Sequence, residues 1–397
     1  MAEGQRLSAD VAVVGAGLSG LRAAHSLVGK GREVVLLEAR ERVGGRLLNA
    51  TLGDGVQVDL GGQWVGSDHT RVQGLAAELG VEIFPQFGEG RNLLDVGGVR
   101  RRYRGTIPRL GLGVLWDIFV ARRRIARLAR GVGSERPWAA ESAAELDGQT
   151  LAEWCEANVR TPIARELIGL AGRTVWGTGP EELSMLHALF YVSAAGSFDK
   201  LIDTEGGAQQ DRLVGGAQGL AIGLASVLGD RVRLGAAVRR IEAGGERLRV
   251  VGDGIEVDAE RVVVALPPAI AARIEFDPAV PAQRRMLGEQ LHPGVLNKCI
   301  ALYEEPFWRA DGLSGMVVSL DYAVSIMFDN SPEDLRCGVL LGFLEANAGR
   351  RASLLSPEDR KALVLADAAA YFGPRAGEPR EYVEHDWAAD EWSRGCY

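Results

Sequence analysis

Two sets of residues in this chain have types and spacing that imply chemistry. The first is Gly15, Gly17 and Gly20, within Gly15-Ala16-Gly17-Leu18-Ser19-Gly20, followed by an acid, Glu38, about 20 residues on. In such a pattern the first glycine makes a tight turn, the second lets a pyrophosphate approach the backbone, and the third lets a helix close on a sheet. Phosphates held there sit at a helix N-terminus, where free N–H groups and the helix dipole favour negative charge. Glu38 is then placed to accept hydrogen bonds from an adenosine ribose, and its charge repels a 2′-phosphate, which argues for FAD or NAD over NADP. The second set centres on Lys298, one of four lysines among 45 basic side chains. Read with period two, Leu296, Lys298, Ile300 and Leu302 share one strand face, so an ammonium stands in an apolar row. Burying it is costly unless it is paired or its pKa falls; a lysine that snorkels to the surface is the alternative.

The elements that position the glycines follow from the flanking pattern. An apolar run, Val11 to Val14, leads into the turn; helical spacing of Leu21, Ala24, Leu27 and Val28 follows; a second run, Val34 to Leu37, ends on Glu38. This is strand, turn, helix, strand. Directly after it, Arg42-Val43-Gly44-Gly45-Arg46 forms a second glycine turn, whose arginine offers the pyrophosphate another donor and counter-charge.

Composition sets the bounds. At 397 residues, 47% hydrophobic and 25% charged, the chain has room for two or three ordinary globular domains. A net charge of −8 gives no electrostatic reason to expect nucleic acid. Arg122, Arg123, Arg124, Arg127 and Arg130 cluster in a predicted helix and read as a solvated face. The N-terminus lacks a signal-peptide pattern and no apolar run reaches spanning length, so a soluble, cytoplasmic protein is expected. Cys155, Cys299, Cys337 and Cys396 are scattered without metal-ligand spacing; reduced thiols and no metal are expected.

Further along, Val58-Asp59-Leu60-Gly61-Gly62-Gln63-Trp64-Val65-Gly66 reads as backbone close to something flat, or as a bend with Trp64 as a core anchor. Helices are predicted at 70–80, 113–130, 149–157, 161–171 and 180–194, and the helical stretch from about 84 to 212 marks a separate domain. The chain returns with strands at 232–234, 238–241, 247–251 and 255–258, and with a further run, Val262 to Ala265, expected to be covered on both faces.

With these residues in hand, the chain resembles the flavin amine oxidase superfamily. The likeness lies in the Glu38-Ala39-Arg40 to Arg46 string, in Asp59-Leu60-Gly61-Gly62, in Lys298-Cys299 followed by Tyr303 and Glu305-Pro306-Phe307-Trp308-Arg309, and in the closing Cys396-Tyr397. It is similar to monoamine oxidases and to bacterial putrescine oxidases. The resemblance implies a Rossmann-like FAD-binding domain of α/β type, discontinuous (1–83, 213–287, 388–397), with an α+β substrate-binding domain (84–212, 288–387). It implies oxidation of a primary amine, with O2 as acceptor, to aldehyde, ammonia and peroxide. FAD is then held by Gly15, Gly17, Gly20, Glu38, Arg40, Gly44, Gly45, Arg46, Gln63, Trp64 and the backbone of Val238.

In that family the lysine at Lys298 holds a water against the flavin, a glutamine at Gln209 lies in the substrate cavity, and Tyr397 forms half of an aromatic cage. Cys396 is either a covalent flavin anchor or a small buried cysteine. Ile326 aligns where putrescine oxidases carry a carboxylate for a distal ammonium, which favours an apolar monoamine over a diamine. A polyamine or amino-acid oxidase of the same fold, or an FAD-binding remnant without turnover, are the alternatives, and a homodimer is a candidate assembly. Members of the family continue past the point matched by Tyr397, through a flavin-contacting loop, a last helix and the second cage aromatic. The expectation is therefore either a chain that is part of a longer one, the favoured reading, or a site open on one side; as it stands, the chain is expected to hold FAD poorly or not at all, since an open site loses buried contact area.

Overall fold

A computed structural model describes residues 5–105 and 110–397. Strand β1 (Gln5–Val14), helix α1 (Leu18–Val28) and strand β2 (Val34–Leu37) form the expected unit, with β1 and β2 parallel and in register from Val11↔Val34 to Val14↔Leu37. Every residue from Val11 to Val14 and from Val34 to Leu37 is buried, because helix packs on one face of these strands and further strands flank them. The other neighbour of β1 is β3 (Ile255–Val264), and the whole sheet has seven strands drawn from residues 5–37 and 232–277.

The segments 255–258 and 262–265 are one strand, not two, and Val262, Val263 and Val264 are half-buried rather than covered on both faces. The reason is pairing: β1 accompanies β3 along its length, whereas the antiparallel neighbour Leu248–Gly252 reaches only Ala259.

The helical stretch contains Leu112–Val132, Leu151–Asn158, α2 (Pro162–Trp176) and Met185–Ala195. The last starts five residues later than predicted, at the point where the Ser184 hydroxyl caps the His187 N–H. The arginine face is partly engaged: Arg122 pairs with Asp199, and Arg124 donates to Asn158.

A second seven-stranded sheet includes β4 (Leu296–Tyr303), β5 (Ile326–Asp329) and β6 (Gly338–Glu345) as adjacent antiparallel strands in the order β4, β6, β5. All eight residues of β4 and all eight of β6 are buried. One face packs on helix Pro357–Phe372 through Cys299, Tyr303 and Leu344; the other gathers Leu296, Ile300, Ile326 and Phe343 with Leu170 of α2 and Cys396. Lys298 belongs to the second face. Among the described residues no helix is long and apolar enough to cross a membrane, and no cluster of three metal-binding side chains occurs.

Candidate functional site

The glycine turn is built as its spacing requires. Gly15 sits at φ +100° with its N–H on the Leu37 carbonyl at 2.7 Å, and a Cβ on Gly20 would stand 1.9 Å from the Gly15 oxygen. Both glycines are thus needed by the protein itself. Gly17, at the N-terminus of α1, is different: a Cβ there would meet nothing within 4 Å. The space beside it belongs to a cavity of about 710 Å³ that extends to Lys298 and is lined by Gly15, Gly17, Glu38, Arg40, Gly44, Gly45, Arg46, Gln63, Trp64, Val238, Cys396 and Tyr397. Of the residues expected to hold a cofactor, only Gly20 lies off this wall, in keeping with its packing role.

Glu38 is buried. One carboxylate oxygen accepts the Ala16 N–H at 2.7 Å and the other the Arg40 N–H at 3.0 Å. The arginines behave in ways the sequence did not disclose. Arg42 turns back on its own loop, donating to the carbonyls of Val43, Gly45 and Leu47. Arg40 ion-pairs with Asp390 and donates to the Ser393 hydroxyl at 2.8 Å, while Arg46 donates to the Cys396 carbonyl. The C-terminal segment therefore folds back over the glycine turns and takes up guanidinium groups expected to hold the cofactor. Burial opposes the Asp390 charge, but hydrogen bonding from His385 and the Arg40 cation prevail and hold its carboxyl well below the usual range.

At the far end lies Lys298, 2% exposed. Its Nζ donates to the Gly61 carbonyl at 2.8 Å and to Gln63 Oε1 at 2.5 Å, and it stands 5.9 Å from the Trp64 ring centre. Gln63 is held in turn by Asn330, its Nε2 donating to Oδ1 at 2.8 Å, and the Trp64 indole N–H donates to Gln86 at 2.9 Å. Burial pushes the lysine down to about 7; nearby Asp59 pulls upward and Arg212 presses further down. A neutral amine has two N–H bonds and one lone pair. With both N–H bonds committed to Gly61 and Gln63, the lone pair is left to receive a proton or a water.

A second cavity, about 680 Å³, contains Gln209 and Ile326, with Leu170, Thr174, Phe198 and Phe328. Trp64 meets Phe328 and Phe343 edge-on at 5.0 and 6.0 Å; Phe343 lines the first cavity and Phe328 the second, so these rings form the partition. The residues expected to act together are accordingly divided: Lys298 and Tyr397 on one side, Gln209 and Ile326 on the other. Gln209 donates to the Leu201 carbonyl at 3.1 Å, and its own Oε1 is buried without a partner. Tyr397 reaches across, its hydroxyl donating to the Thr174 carbonyl at 3.0 Å.

Cys396 lines the first cavity, buried, and its sulfur would be 2.8 Å from a Cβ at Gly177 and 2.9 Å from one at Gly294. Burial pushes the thiol up to about 11. Sequence reasoning missed the groups behind Lys298: Asp59, Arg212 and Asn330 are buried, and Gln86 is the Trp64 anchor. Asp59 stood inside a quoted string; Gln86 carried no signal, since an isolated amide has no periodicity.

FAD fits these residues. The open approach at Gly17, a helix N-terminus beside it, the buried acid after β2 and a long cavity with apolar walls ending at a lysine are what an adenine dinucleotide bearing a ring system requires. The comparisons with known proteins agree. The family model described as flavin containing amine oxidoreductase matches residues 18–397. A Mycobacterium tuberculosis protein bearing the name flavin-containing monoamine oxidase AofH is 43% identical over 386 residues, 97% of this chain and 84% of the relative. Among solved structures, putrescine oxidase bound to putrescine superposes with a TM-score of 0.95 at 37% identity, covering 99% of this chain and 88% of that one. Cyclohexylamine oxidase from Brevibacterium oxydans gives 0.93 at 30% identity, covering 98% and 86%.

Proposed function

The chain belongs to the flavin-containing amine oxidoreductase family, and from that premise we propose that it oxidises a primary amine of apolar body to an aldehyde, releasing ammonia and hydrogen peroxide. Bound FAD would supply the redox chemistry, accepting a hydride from the carbon beside nitrogen and returning the electrons to O2. The protein's own share is binding, orientation and proton handling. The observation that carries the reading is the buried Lys298 amine at the cavity end, its donors fixed by Gly61 and Gln63.

In this reading α1's N-terminus would hold the pyrophosphate, Glu38 the ribose and Val238 the adenine end, with Lys298 and Cys396 at the end of the cavity that would take the ring system. The second cavity takes the amine's tail. Its walls at Ile326, Phe328, Leu170 and Phe198 suit an apolar group, and Gln209 stands in the same lining. Segments 1–83, 213–287 and 388–397 then form the FAD-binding unit, and 84–212 with 288–387 the substrate unit. A cytoplasmic setting is in keeping with four buried, unpaired cysteines.

A diamine is the second reading. Glu89 and Glu205, both exposed at the second cavity, could receive a distal ammonium, and a putrescine-binding oxidase is among the structural relatives.

Lys298→Met tests the first reading: FAD should remain bound while anaerobic flavin bleaching by amine, or reoxidation by O2, slows by about two orders of magnitude or more. Wild-type rates would remove Lys298 from the mechanism. Peroxide release from an apolar monoamine, a diamine and an amino acid separates the substrate classes. A covalent link through Cys396 would leave an acid-precipitated pellet yellow; a colourless pellet removes it.

A further inference from the structure

Glu345 ends β6 on the face that bears Lys298. Register puts it there: Leu296, Lys298 and Ile300 of β4 stand opposite Glu345, Phe343 and Leu341 of β6, and directly opposed residues of an antiparallel pair share a face. The carboxyl group is therefore one pleat beyond Phe343, in a row that is otherwise apolar, and it is 1% exposed.

Its hydrogen bonds are few. Oε1 accepts from the Ser325 hydroxyl at 2.9 Å and lies 3.0 Å from the Thr174 hydroxyl, while Oε2 is buried with no partner. The Thr174 hydroxyl has a second acceptor, the Leu170 carbonyl, also at 3.0 Å, and only one hydrogen to donate. Ionised, the group would leave a bare charged oxygen in a dry place. Protonated, it donates to Thr174, Thr174 donates to Leu170, and the remaining oxygen carries no net charge. Burial acts in the same sense, raising the carboxyl to about 7 against the pull of Ser325, Thr174 and the Arg173 guanidinium.

Thr174 lies in the last turn of α2, where carbonyls lack helical partners. Its carbonyl receives the Tyr397 hydroxyl at 3.0 Å. Thr174 lines the second cavity and Tyr397 the first, so this turn stands where the two meet. Besides Arg173 on α2, the titratable groups that face Glu345 are Cys396 and Tyr397 of the C-terminal segment.

We propose that Glu345 is a positioning residue of the amine site, an uncharged carboxylic acid that pins the Thr174 turn and thereby the Tyr397 ring at the junction of the two cavities. The proposal rests on amine oxidation for its kinetic readout only. Infrared difference spectra of the resting flavoprotein, wild type against Glu345→Gln at pH 6, should contain the C=O stretch of a protonated carboxyl; no such band overturns the proposal. In kinetics, Glu345→Leu should raise the amine KM about tenfold with a smaller change in kcat, and Glu345→Gln, neutral and able to donate to Thr174, should recover most of that loss.

Combining Glu345→Leu with Tyr397→Phe should cost little beyond either alone, because both act on one contact. Full additivity, or an unchanged KM in Glu345→Leu, overturns the link to Tyr397. Should Glu345→Leu fail to fold, the pH profile decides: the wild-type KM climbs above about pH 7 as the acid ionises, while Glu345→Gln stays flat, and parallel profiles overturn the proposal. A protein that turns over no amine yet shows the band refutes the proposed function and leaves the buried acid standing.

Discussion

Lys298 concentrates what a single residue contributes here. Its amine is buried, so the charged form is disfavoured, and the group loses its proton near pH 7 rather than 10.5. The consequence for activity has a definite sign. The neutral form, with a free lone pair, accumulates as pH rises through about 7, so kcat at saturating amine should climb through that window in the wild type and lose that limb in Lys298→Met; a pH–rate profile of the two checks it.

Stability follows the same linkage. Between about 7 and 10.5 the unfolded chain holds a proton that the folded one has shed, so Lys298 penalises folding below about pH 7 and the penalty is relieved as pH rises toward 10.5. Glu345 works the other way, its raised carboxyl making stability fall between 4.5 and about 7. The identity of Lys298 was legible from its apolar row. Its partners were not, because Gly61 and Gln63 reach it from 235 or more positions away, a distance no local pattern spans.

At the scale of the element, the strand-turn-helix unit separates residues that serve the fold from those that serve the ligand. Gly20 packs its α-carbon against the Gly15 oxygen, whereas Gly17 faces open cavity with φ −67°, a value any residue adopts. Gly20→Ala should therefore cost several kcal/mol and yield little folded protein, since backbone must move. Gly17→Ala should keep the thermal midpoint of the cofactor-free protein within about 2 °C of the wild type while weakening FAD binding tenfold or more. Thermal melts and a flavin fluorescence titration measure both, and equal FAD affinity would show that the pyrophosphate does not lie at this turn. This unit was readable because two periodicities and a spaced acid coincide in 28 residues, Val11 to Glu38. The join of 255–258 with 262–265 was not, because Ala259, Glu260 and Arg261 interrupt the apolar pattern while the pairing with β1 continues across them.

For the whole molecule, the cavity is closed by chain drawn from both ends of the sequence. Arg40 and Arg46 beside the glycine turns hold Asp390 and the Cys396 carbonyl, Trp387 donates to the Leu60 carbonyl at 2.8 Å, and Lys298 ties the second sheet to Gly61. Most of these ties join segments more than 300 residues apart, which is why Arg40 and Arg46 read from sequence as cofactor-binding residues and fold as clasps on the C-terminal segment. The clasps border that cavity, and any ligand that binds the folded chain and not the unfolded one links cofactor binding to global stability. At a hundredfold excess over its Kd, FAD should stabilise the fold by about 2.7 kcal/mol, a rise of several degrees in the thermal midpoint. Asp390→Asn keeps the side-chain shape but removes the charge that Arg40 pairs with. It should lower the midpoint modestly without FAD, and it should lose part of the FAD-dependent rise, because the freed segment no longer covers the site. A rise of equal size in variant and wild type at the same FAD concentration, with equal Kd, would mean that the C-terminal clasp serves the fold alone and that the cofactor's hold depends on the glycine turns and Lys298 end of the cavity.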